Sequence, residues 1–89
     1  MRRFRCTKLF ILDSGNFDLA AEVHLSGLGV KRTPEAGVYR YATEVEAETI
    51  GDAGIVSRDK LLEILRPYGV EIIITDSSTR LLRQEPQDR

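Results

Sequence analysis

Apolar and polar residues alternate along much of this chain, and the alternation predicts strands. Phe4 to Leu12 and Phe17 to Leu25 are two apolar-rich runs separated by Asp13-Ser14-Gly15-Asn16, residue types that favour turns. In the second run Phe17, Leu19, Ala21, Val23 and Leu25 share one face of a strand, with Asp18, Ala20, Glu22 and His24 on the other. The two runs predict a hairpin, with Leu12 opposite Phe17, Phe10 opposite Leu19, Cys6 opposite Val23 and Phe4 opposite Leu25. Its apolar face is broken only by Lys8. Leu9 and Ile11 fall on the reverse face and need some further cover.

Gly27-Leu28-Gly29 punctuates the chain before a short run, Val30-Lys31-Arg32, and a loop from Thr33-Pro34 to Gly37. A strand is expected from Val38, because Tyr39, Tyr41, Thr43, Val45 and Ala47 alternate with Arg40, Ala42, Glu44, Glu46 and Glu48. Thr43 and Glu46 have capping-box spacing, so residues 43–50 also admit a helix; the strand reading is carried to about Val45. Gly51-Asp52-Ala53-Gly54 reads as a loop. Ser57 then suits an N-cap, Asp59 the first turn, and Leu61, Leu62, Ile64 and Leu65 an apolar stripe, which predicts a helix over 57–66 ended by Pro67. Val70 to Thr75 reads as an interior strand, Asp76-Ser77-Ser78-Thr79 as a turn, and residues 80–83 as a short edge strand.

These elements predict an α+β fold in which a small, mostly antiparallel sheet of about four to six strands, built from hairpins, packs against one main helix at 57–66. The expected order is ββββαβ, with a possible last strand. Residues 1–83 would form a single domain and 84–89, with Pro86 and alternating charges, a flexible tail. One helix is a thin cover for such a sheet. Leu9, Ile11 and the second face of Ile72 to Ile74 therefore point to a homodimer or a bound protein partner, joined sheet to sheet or by edge strands.

Composition narrows the function. The 89 residues carry 13 Lys and Arg against 14 Asp and Glu, for a net charge of −1, which disfavours binding nucleic acid through bulk charge. No apolar run approaches the roughly 20 residues of a membrane-spanning helix. Arg2, Arg3 and Arg5 open the chain as in a signal peptide, but Lys8 and Asp13 interrupt the apolar region that would follow, so a mature cytoplasmic chain is expected. A single cysteine allows no internal disulfide and no Cys-rich zinc site.

Charge is unevenly laid out. Residues 1–12 hold four positive charges and no negative one, while residues 43–52 hold four negative and no positive, so the two segments can pair within or between molecules. Arg2, Arg3, Arg5, Lys31, Arg32, Tyr39 and Tyr41 could instead make a basic strip with stacking rings for a nucleic acid. Catalytic chemistry finds little footing. The hairpin register sends Cys6 and His24 to opposite faces. Glu44, Glu46 and Glu48 could hold a hard cation if Asp52 or loop carbonyls joined them, but roughly 6.5 to 7 Å apart along a strand they are wide for a shared ion and normal for a solvated acidic edge. Neither glycine-rich loop has the form of a phosphate cradle. The reading is therefore a small interaction or regulatory protein without catalytic activity, cofactor or metal, acting through self-association or a protein partner. A nucleic-acid-binding module is the alternative.

Overall fold

A computed structural model describes residues 1–82 of the chain. The fold is α+β. Its elements run β1 (Arg2–Ser14), α1 (Leu19–Ser26), β2 (Val30–Arg32), β3 (Val38–Ala47), α2 (Ile50–Leu65), a 3-10 turn (Arg66–Tyr68) and β4 (Glu71–Leu81). The expected tail at 84–89 lies outside the described residues.

The four strands form one sheet in the order β2-β3-β1-β4, and every neighbouring pair is antiparallel. The connectivity βαββαβ with this order is the split βαβ, or ferredoxin-like, arrangement: β1 and β2 run parallel with β3 between them, and β3 and β4 run parallel with β1 between them. Among the described residues only β2 and β3 make a sequence-adjacent hairpin.

Three expectations about local structure are corrected. The run Phe17 to Leu25 is not a second hairpin strand, because Asp18 accepts the Ala21 backbone N–H at 2.8 Å and starts α1. Phe17, Ala21 and Leu25, four residues apart, then face the core, while Leu19 and Val23 turn to solvent. The same apolar positions fit periods of two and of nearly four; the cap decides between them. The order is accordingly βαββαβ rather than ββββαβ, and β1 pairs with β3 and β4 instead of with residues 17–25.

The main helix also starts earlier than Ser57. Thr49 accepts the Asp52 N–H at 3.1 Å, so the glycine-containing segment from Gly51 to Gly54 forms the opening turns of α2. Ser57 lies fully inside, donating its hydroxyl to the Gly54 carbonyl at 3.0 Å. Ala53, Ser57, Leu61 and Leu65 make the buried stripe. In β4 the expected turn at Asp76 to Thr79 is absent, and those residues continue the strand beyond a bulge at Thr75. In β3 the strand reading holds, to Ala47.

Both helices pack on one side of the sheet. Phe10, Tyr39 and Tyr41 meet Ala21 and Leu25 of α1 and Leu61 and Leu65 of α2 in the larger core cluster. Phe4, Cys6 and Val45 meet Ala53 in a smaller one. Phe4 and Phe10 are buried almost completely, each contributing about 1.5–3 kcal/mol of transfer free energy. Lys8 occupies the position on β1 between the two clusters.

Candidate functional site

The side of the sheet away from the helices is uncovered by any described element, and strand alternation decides what it presents. Since Phe4, Cys6, Lys8 and Phe10 point toward the helices, Arg3, Arg5, Thr7, Leu9 and Ile11 point outward. Register extends this set to Val38, Arg40, Ala42, Glu44 and Glu46 on β3 and to Ile73, Asp76, Ser78 and Arg80 on β4. Ile11 stands directly opposite both Val38 and Ile73, so Val38, Ile11 and Ile73 form an apolar row across three strands. Leu9 extends the row one step along β1. Ile73 is 46% exposed and the other three are partly exposed.

Charged residues occupy the far end of this outer side. Arg5 is directly opposite Glu44 and pairs with it at 2.8 Å; Arg3 is opposite Glu46 and pairs with it at 3.3 Å. The basic start and the acidic middle of the chain therefore meet within one molecule. The hydrogen bond from Arg5 holds the Glu44 carboxyl below the usual carboxylate range.

The seven residues picked out from the sequence do not share one face. Arg3, Arg5 and Lys31 are on the outer side, and Lys31 faces Arg40 across the β2–β3 pair. Arg2 is exposed at the start of β1, opposite Ala47. Tyr39 and Tyr41 point toward the helices, Tyr41 only 1% exposed, so neither ring can stack on a base lying over the outer side. Arg32 turns to α1, where its guanidinium makes a two-pronged pair with Glu22, the shortest contact being 2.7 Å.

The strand expected over Phe17 to Leu25 gives no sign of this Glu22–Arg32 pair, which forms because Glu22 lies on α1. Tyr39 completes it by donating its hydroxyl to Glu22 at 3.3 Å. Hydrogen bonding from Arg32 lowers the Glu22 pKa, and burial together with the nearby carboxylate raises that of Tyr39. The trio lines a cavity of about 410 Å³ between α1 and β2 whose rim carries Leu19 and Val23, 78% and 68% exposed. Its charges are satisfied by one another.

Reactive side chains stand apart. Cys6 is fully buried under α2, its thiol donating to the Ala53 carbonyl at 3.5 Å, while His24 is exposed on α1. They are separated because they sit on different elements, and not through the hairpin register expected for them. Among the described residues no three His, Cys, Asp or Glu side chains gather where they could hold a metal ion, and no helix is long and apolar enough to cross a membrane. No family model, curated protein or solved structure matches this chain.

Proposed function

We propose that this chain is a non-catalytic interaction module that joins other protein chains, a second copy of itself first among them, through the outer side of its sheet and the free strand edge beside it. The row Val38–Ile11–Ile73 carries the reading. Three β-branched side chains line up across three strands in water, on a face that the protein's own helices leave open. Apolar surface arranged contiguously on a rigid sheet gains free energy when a partner excludes water from it. The lone thiol is buried under α2, and Glu22, Glu44 and Glu46 are each paired with an arginine, which favours binding over catalysis.

The nucleic-acid alternative draws less support, because Phe4, Tyr39 and Tyr41 lie behind the sheet and Arg3 and Arg5 already face carboxylates. Sedimentation velocity over a concentration series tests the proposal. The wild-type chain is expected to associate, and Ile73→Asp to weaken that association while leaving the melting temperature unchanged at concentrations where both proteins are monomers. Association that is indifferent to Ile73→Asp would remove the apolar row from the account.

A further inference from the structure

We infer that the second copy docks along the free edge of β4, antiparallel, in the single register that sets Glu71 of each chain opposite Arg80 of the other. This deepens the function proposed above and rests on it. The two ends of the sheet differ as docking edges: β2 offers three residues, β4 eleven. No proline interrupts β4, so its outward backbone groups can form a ladder with another strand.

The bulge selects the register. Before it, Ile72 and Ile74 point to the helices and Glu71 and Ile73 outward. After it, Ser77, Thr79 and Leu81 point to the helices, opposite Lys8, Cys6 and Phe4, while Asp76, Ser78 and Arg80 point outward. Outward residues are thus odd-numbered up to and including Thr75, which is exposed and follows the helix-facing Ile74, and even-numbered after it. Partners in an antiparallel pair must share a face, and a two-fold axis perpendicular to the sheet keeps the faces of both copies alike. The only two-fold pairing that satisfies this along the whole strand superposes the two bulges, with the axis between Thr75 and Asp76. Any other offset sets outward residues against helix-facing ones over part of the edge.

That register pairs Ile74 with Ser77, Ile73 with Ser78, Ile72 with Thr79 and Glu71 with Arg80, each twice. The charge match is independent of the bulge that selects the register. Glu71 accepts only a 3.5 Å hydrogen bond from Ser14, and neither Glu71 nor Arg80 has an ion-pair partner among the described residues. A bulge ordinarily blunts an edge against pairing, but a strand carrying the same bulge at the same place matches it. The product is a continuous eight-stranded sheet with both outer sides on one surface.

Mixed cysteine cross-linking tests this arrangement. Ile73→Cys and Ser78→Cys proteins, combined under mild oxidation, are expected to form a disulfide-linked heterodimer, while neither links to itself, because like positions lie five residues apart, roughly 17 Å. The buried Cys6 does not compete. Glu71→Arg and Arg80→Glu should each weaken the dimer about threefold to tenfold, and the double variant should recover it. A dimer in which Ile73→Cys links to itself, or which ignores both charge reversals, overturns the edge register and leaves self-association standing. A monomer at every concentration overturns both.

Discussion

Lys8 is 4% exposed and reaches across from β1 to donate from Nζ to the Ser77 hydroxyl at 2.9 Å, between two apolar clusters. An ammonium in such a place gives up hydration for one hydroxyl, which recovers only part of the cost. Its methylene stem fills space that a thioether chain can fill as well. Lys8→Met is therefore expected to fold and to raise the melting temperature. Ser77→Ala should cost about 1 kcal/mol in the wild-type background and close to nothing beside Lys8→Met, a coupling that a double-mutant cycle in urea would read directly.

Two glycines should respond in opposite directions to alanine. Gly29 has φ +95°, and a Cβ there would stand 2.6 Å from the Ala42 carbonyl oxygen, backbone that the β2–β3 hairpin holds in place. Gly29→Ala is expected to cost about 2 kcal/mol or more. Gly54 is inside α2, and its Cβ would meet nothing within 4 Å, so Gly54→Ala should stabilise by about 0.5–1 kcal/mol. Chemical denaturation of the two variants checks both signs.

The start of α2 gives a similar contrast. Thr49→Ala removes the hydroxyl that receives the Asp52 N–H and should cost about 1 kcal/mol. Ser57→Ala, at the position the sequence favoured as cap, should be nearly neutral: its hydroxyl returns to a carbonyl one turn earlier and alanine is the better helix former.

Acid should loosen two named contacts. Arg32 lowers the folded pKa of Glu22, and Arg5 lowers that of Glu44. A carboxylate whose pKa is lower in the folded state than in the unfolded one contributes stability that is complete above the ordinary carboxylate range and is lost as pH falls through the folded value. Stability should thus be level near neutrality and decline below the usual carboxylate range. Glu22→Gln should flatten part of that decline in pH-dependent melting, with Glu44→Gln flattening another part.

How far the fold could be read from residues depended on whether local and tertiary signals agreed. The acidic alternation of β3 and the leucines of α2 before Pro67 were legible, because periodicity in the one and periodicity with a breaker in the other outweighed the misleading cap signals at Thr43 and Ser57. Phe17 to Leu25 misled because its apolar positions satisfy two periods and only the Asp18 cap, with burial against Tyr39, separates them. Asp76 to Thr79 reads locally as a turn, yet pairing with Leu9, Lys8, Thr7 and Cys6 holds it extended. The partly exposed state of Leu9 and Ile11 was readable from alternation alone. Their alignment with Val38 and Ile73 was not, since it depends on β1 lying between two strands distant in sequence.

Amide hydrogen exchange of the wild-type chain at low and at high protein concentration tests self-association through the sheet most directly. The account predicts that amides of Glu71–Leu81 slow as concentration rises, while those of the opposite edge, Val30–Arg32, gain no local protection. Exchange along β4 that is the same at every concentration would contradict it.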